Sequence, residues 1–210
     1  MSKKVLIRGP ILTQSGYGEH ARFIYRALSS RPDLFEVFVD PINWGKTSWM
    51  WEDTSERRQI DQVIGKTQAY MAQNGQFDMS FLVTIPGEWE KYRAAPINIG
   101  VTAGIESNKV SAQWLEAGNK FVNKIIVPSK FSKQTYADTV YNGKNNFGQQ
   151  VRLSLNTPIN VLINAGITTL IACGRIISSI LFTYPRFRLS AASICPLGMD
   201  WSPPRITSAV

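Results

Sequence analysis

The sequence predicts an α/β fold: a doubly wound parallel sheet followed by an irregular C-terminal tail. Three observations carry this. Compact apolar runs alternate with amphipathic stretches of helical length over residues 1–166. Parallel strands joined by crossover helices are the arrangement that such alternation favours. A glycine-rich segment opens the first of the helical stretches, and the alternation stops after Gly166.

The elements follow in order. Lys4–Arg8 is a short apolar run stopped by Gly9-Pro10, which suits a buried strand. Gly18–Ser30 places Ala21, Ile24, Ala27 and Leu28 on one face and ends before Pro32, so it predicts a helix. Phe35–Val39 is the second strand, closed by Asp40-Pro41. Residues 41–54 read as a loop, and 55–73 as a helix with Ile60, Val63, Ile64 and Tyr70 at its apolar positions. Asn74-Gly75 stops that helix, Phe77–Thr84 is a third strand, and Pro86-Gly87 opens a loop. Ile97–Val101 is the fourth strand. Ser107 or Asn108 is placed to cap a helix through Trp114, Leu115 and Phe121. Lys124–Val127 is the fifth strand. Ser129 then caps a helix reaching about Tyr141, with Phe131 and Tyr136 turned to the core. Asn142–Gln150 reads as a polar loop, and Ile159–Ile163 as a sixth short strand. In such sheets ligands bind beyond the carboxyl ends of the strands, where the loops at 9–18, 41–54, 84–95 and 102–108 lie.

Composition narrows the chemistry. The 210 residues hold two cysteines, Cys173 and Cys195, and one histidine, His20. That excludes a disulfide framework and a paired-histidine metal site, so no metal is expected. The start of the chain has too short an apolar run for a signal peptide, and the longest uncharged stretch, 153–174, is too polar for lipid. The expected location is cytoplasmic, with no transmembrane segment. The net charge of +8 is uneven: residues 1–138 carry 17 basic and 14 acidic side chains, while 139–210 carry six basic and one acidic. Lys120, Lys124, Lys130, Lys133 and Lys144 come with no nucleic-acid motif, so nucleic acid is not an expected partner.

Gly16-Tyr17-Gly18-Glu19-His20-Ala21 fits G-x-G-x-x-A, and Asp40 lies 22 residues past Gly18. This is the outline of a dinucleotide fingerprint. About seven residues separate Arg8 from Gly16, however, where that motif wants a tight turn. Glycines at a helix start let backbone approach an anion in either case, or they simply make the turn. The fragments Gly45-Lys46-Thr47 and Gly65-Lys66-Thr67 lack the upstream glycine of a P-loop. His20, in the first turn of a helix, is either a donor or base at the ligand edge or a helix-surface histidine. Glu106, after a strand, is either a carboxylate for sugar hydroxyls and proton transfer or a solvated loop residue. Trp44, Trp49 and Trp51 either stack on a sugar face or cover the sheet edge, and packing is the commoner use of aromatics.

Three segments, in order, resemble the N-terminal domain of retaining, two-domain (GT-B) glycosyltransferases of family 4. The first is Ser15-Gly16-Tyr17-Gly18-Glu19-His20-Ala21-Arg22 after a strand. The second is Gly104-Ile105-Glu106-Ser107, then Trp114-Leu115, then Asn123-Lys124-Ile125-Ile126-Val127-Pro128-Ser129-Lys130-Phe131, with Asn123 near where the family often has Asp. The third is Thr157-Pro158-Ile159-Asn160-Val161-Leu162 with Asn164-Ala165-Gly166-Ile167, where Thr168 replaces the usual acid.

The resemblance implies a Rossmann-like domain and transfer of a sugar from a nucleotide-sugar to a sugar or glycan acceptor, with no metal or other cofactor. By that mapping Gly16, Tyr17, Gly18 and His20 line the cleft, Glu106 faces the acceptor, and Ser129 ends the fifth strand at the cleft. Glu106 and His20 are the catalytic candidates; Gly16, Tyr17, Gly18 and Ser129 are the substrate-binding ones. The nucleotide-sugar belongs to a second domain in this family, and residues 167–210 contain no glutamate with which to supply the family's donor motif. The expectation is therefore a half-enzyme, inactive alone, whose tail is frameshifted or disordered. A dinucleotide-dependent oxidoreductase and a carbohydrate- or protein-binding module are the alternatives.

Overall fold

In a computed structural model the residues described are 2–103, 107–144 and 148–162. The predicted tail at 167–210 lies outside them. The described chain forms a six-stranded parallel sheet with helices on it, a Rossmann-like architecture. The strands of this sheet are β1 (Lys3–Gly9), β2 (Phe35–Pro41), β3 (Met79–Val83), β4 (Ile97–Val101), β5 (Lys124–Val127) and β8 (Ile159–Val161), in spatial order β2-β1-β3-β4-β5-β8. β1 lies between β2 and β3, so the direction of winding reverses there, and the crevice beyond its carboxyl end is where such sheets hold ligands.

The strands are apolar because both sides of them are covered. Val5, Leu6 and Ile7 are fully buried, as are Met79, Phe81, Leu82 and Val83. Alternate residues serve opposite faces. Val5, Ile7, Met79, Phe81, Val83, Ile99 and Ile126 join one cluster with Ile24 and Leu28 of α1 (Gly16–Ser29). On the other face Leu82, Ile125 and Val127 join Trp89, Leu115 and Tyr136, while Leu6 packs with Phe38 and Phe77. α2 (Ser55–Ala72) runs beside the edge strand β2, giving Ile60 to the first cluster and Tyr70 to the Phe38 cluster.

The helix starts follow capping chemistry. Ser15, Thr54, Ser111 and Ser129 each accept a backbone N–H from the first turn of the following helix. α4 (Ala112–Phe121) therefore starts at Ser111, not at Ser107 or Asn108 as expected. Ser107 Oγ instead donates to the Lys109 carbonyl and closes a local turn. α5 (Lys130–Asp138) starts at Ser129 as predicted, but only Tyr136 of its two aromatics is buried; Phe131 is 54% exposed. The short helix α3 (Trp89–Tyr92) follows a 3-10 turn at Pro86–Glu88 in what reads from sequence as plain loop.

The expected polar loop at 142–150 is also corrected at its two ends, which belong to an antiparallel pair of strands, β6 (Tyr141–Lys144) and β7 (Gln150–Leu153); residues 145–147 lie outside the described ones. From β7 the chain returns to the sheet along α4. There Asn119 Oδ1 accepts from the Asn156 and Thr157 N–H groups, and its Nδ2 donates to Ser154 O. Asn123, where the resembled family often has Asp, works at the far edge of the sheet from the crevice: its Oδ1 accepts the Asn98 N–H at 2.9 Å. A carboxylate would fill the same acceptor role, so the exchange does not disturb the fold.

Candidate functional site

The site is built around the link from β1 to α1. Residues 10–15 form a loop longer than a dinucleotide turn; it folds inward through a turn closed by Thr13 N to Pro10 O at 2.9 Å, and its Ile11 and Leu12 are buried. Arg22, one and a half turns into α1, reaches back under this loop. Its Nη1 donates to the carbonyls of Ile11 at 2.7 Å and Thr13 at 2.9 Å, and to Met50 Sδ at 3.2 Å. Its opposite side meets Glu19, which also holds Arg26. A buried guanidinium with this many partners is a fixed strut, since its desolvation is offset only when its donors are satisfied.

The two glycines of the motif differ. A Cβ on Gly18 would overlap the Thr13 carbonyl, so glycine is needed there for helix and loop to touch. A Cβ on Gly16 would meet nothing within 4 Å. Gly16 is thus the member of the pair that faces open space at the helix start, and Gly18 is a packing residue. Ser15 caps Gly18 N at 3.0 Å and pairs with Thr13 Oγ1 at 2.7 Å.

Tyr17 ties this corner to the end of β4. Its phenol oxygen accepts the Ala103 N–H at 3.2 Å and pairs with Thr102 Oγ1 at 3.0 Å, and its ring lies 4.7 Å from that of Trp44. Burial pushes its pKa up, with the hydrogen bonds from Thr102 and Ala103 pulling partly back and the charge of Glu88 adding to the rise. His20 lies at the same edge, half-buried, in a small apolar hollow with Phe23, Ile24, Val101, Ile126 and Leu162. Burial lowers its pKa below 6.5, only partly countered by Glu19, so neutral imidazole is the favoured form. Ser129 ends β5 at this edge, but its hydroxyl is engaged with Ser132 N at 3.0 Å and Ser132 Oγ at 2.9 Å.

Gly16, Tyr17, Gly18, His20 and Ser129 are therefore all at the carboxyl edge of the sheet, with Tyr17 and Ser129 committed to internal hydrogen bonds. Glu106 lies outside the described residues. Trp44 packs on Tyr17, but Trp49 and Trp51 are 45% and 80% exposed, so the packing reading fails for them. The five lysines weighed for nucleic acid are spread over α4, β5, α5 and β6, and Lys124 is buried.

Sequence reasoning missed Glu88. It sits after β3 in the loop next to the winding reversal, and its Oε2 is buried without a hydrogen-bond partner among the described residues. A buried carboxylate oxygen left unpaired is costly and calls for a ligand or water donor. The only hint in the sequence is a glutamate directly after Pro86-Gly87 at the ligand edge. Asp40 behaves differently from a dinucleotide acid. Its Oδ2 accepts from Arg8 Nε at 2.7 Å across the β1–β2 ladder, and the same guanidinium donates to Tyr92 O at 3.1 Å. Among the described residues no group of three or more metal-ligating side chains occurs, and no helix is long and apolar enough to cross a membrane.

Compared with models of known protein families, with curated proteins and with solved structures, the chain has no match.

Proposed function

We propose that this domain is the acceptor-side half of a retaining, GT-B-type glycosyltransferase resembling family 4, holding a sugar or glycan acceptor in the crevice beyond β1, β3 and β4. The observation that carries the reading is the loop at 10–15. It is long, folded inward and pinned by Arg22, and it delivers Gly16 to open space at the helix start. A dinucleotide turn would bring its glycines directly off the strand and leave its acid free for a ribose. Here Asp40 is bound to Arg8 instead.

In this reading the first-turn N–H groups of α1 and the Glu88 carboxylate supply donors and acceptors to sugar hydroxyls. Neutral His20 can take a proton from an acceptor hydroxyl. The resemblance assigns Glu106 to the same acceptor side. The nucleotide-sugar belongs to the partner domain of such enzymes, and a cytoplasmic setting is part of the same proposal.

The test is ligand-observed NMR on the 210-residue protein with neutral oligosaccharides and, separately, NAD. Saturable oligosaccharide binding weakened by Glu88→Gln supports the reading. NAD binding that is abolished by Asp40→Ala overturns it in favour of an oxidoreductase.

A further inference from the structure

The segment 47–51 is an ordered strap on the loop at 10–15. Gln14 N donates to Ser48 O and Met50 N to Leu12 O, each at 2.7 Å, and Thr13 and Trp49 form an antiparallel bridge. Met50 turns inward to Arg22, and Arg57 holds the Met50 carbonyl. The residues on either side of Met50 are the exposed Trp49 and Trp51. Two large aromatic rings are thus held at the rim of the crevice by a braced backbone, which is unlike the scattered single apolar residues of ordinary surfaces.

We infer that Trp49 and Trp51 form a stacking platform for a neutral glycan, extending the acceptor site outward from Gly16. This rests on the acceptor reading above. An indole face accepts the C–H face of a pyranose ring while nearby polar side chains take its hydroxyls. Charge selects the neutral ligand. Glu52, next to Trp51, is exposed, and the adjoining Asp53 holds Arg58 at 2.7 Å, so this end of the strap offers an acid and a neutralised cation rather than a surplus of positive charge to the phosphates of a nucleic acid or an anionic lipid surface. A braced strap also loses little conformational entropy when the ligand arrives.

The experiment uses the 210-residue protein and its Trp51→Ala, Trp49→Ala and Trp51→Phe variants, each checked by urea unfolding. The probes are maltopentaose, mannopentaose and chitopentaose, with phosphatidylglycerol vesicles and oligo-dT alongside, all read by ligand-observed NMR or sedimentation. The expected result is binding of at least one oligosaccharide that Trp51→Ala weakens roughly tenfold, the scale of one well-packed aromatic contact. Trp49→Ala weakens it less and Trp51→Phe retains most of it. If the wild type binds a glycan and Trp51→Ala binds it equally well, the platform is wrong and the acceptor reading stands. If no oligosaccharide binds, both fall. Tryptophan-dependent binding to vesicles or oligo-dT, without glycan binding, overturns the neutral-glycan assignment.

Discussion

The two sides of the crevice satisfy their polar groups to different extents. Around β1 and α1 the Arg22 fork, the Ser15 cap, the Arg8–Asp40 pair and the Arg26–Glu56 pair use up donors and acceptors. Around β3, β4 and α5 three buried side-chain atoms have no partner among the described residues: Glu88 Oε2, Trp89 Nε1 and Tyr136 Oη. The Trp89 ring lies over Gly100 of β4, where any Cβ would collide with it, so its position there is set by shape and not by its N–H. The first side spends its polar groups on directional bonds; the second has such bonds too, as in Ser80 Oγ to Asn98 Oδ1 at 2.7 Å and Val110 N to Thr139 Oγ1 at 3.1 Å, but fixes its largest rings by packing. The first is suited to holding a ligand loop still; the second keeps unspent polar capacity beside it.

The comparison is broken most severely at Arg22. Arg22→Met leaves two buried carbonyls without their donor and should cost about 4 kcal/mol, since each such orphan costs about 1–3 kcal/mol. Urea unfolding at constant m reads this directly. Arg22→Lys should rescue little, because an ammonium on one stem cannot span the Ile11, Thr13 and Glu19 acceptors as the fork does. Full stability in the lysine variant would show that charge, not geometry, holds the loop.

Next is the glycine pair. Gly18→Ala forces the first turn off the Thr13 carbonyl and should cost about 3 kcal/mol by overpacking. Gly16→Ala meets open space and should be neutral or stabilising by up to about 1 kcal/mol. Equal unfolding midpoints for the two variants would remove the distinction between packing glycine and ligand-facing glycine.

The same contrast explains what could be read in advance. Six strands of the sheet are legible because burial on both faces makes them apolar runs, and the helix cap at Ser129 is legible because it is local chemistry. The β6–β7 pair is not, because its residues are mostly exposed and its Asn, Gly and Gln carry no alternating apolar signal. Phe131 reads as core, and Trp49 and Trp51 read as packing more readily than as stacking, because hydrophobicity does not reveal which rings a tertiary fold leaves outside. Glu88 is not legible in the sequence, because one acid in a loop has no pattern. Only the buried, unpaired oxygen singles it out.

The tyrosines sharpen the comparison at the level of a single hydroxyl. Tyr17→Phe removes the bridge from α1 to Thr102 and Ala103 and should cost about 1 kcal/mol. Tyr136→Phe removes a buried hydroxyl that has no partner among the described residues and should be neutral or stabilising by up to about 1 kcal/mol. A destabilised Tyr136→Phe would mean that this hydroxyl too makes a bond that stabilises the fold.

The smallest effect is a pH dependence at His20. Burial lowers its folded pKa below the ordinary 6.5, so the unfolded chain takes up a proton first as pH falls. That uptake favours unfolding. The His20 contribution to stability is therefore unpenalised above pH 6.5 and declines as pH drops toward the lowered folded value, where the loss is complete. His20→Gln should flatten the fall in stability as pH drops through and below the ordinary 6.5, leaving the remaining slope to the carboxylates. Neighbouring Glu19 partly opposes the shift, so Glu19→Gln should steepen the His20 contribution while weakening the Arg22 and Arg26 pairs. An unchanged slope in His20→Gln would show that the imidazole in the hollow by Phe23 and Val101 is effectively solvated, and would remove the reason for treating it as a neutral base at that edge.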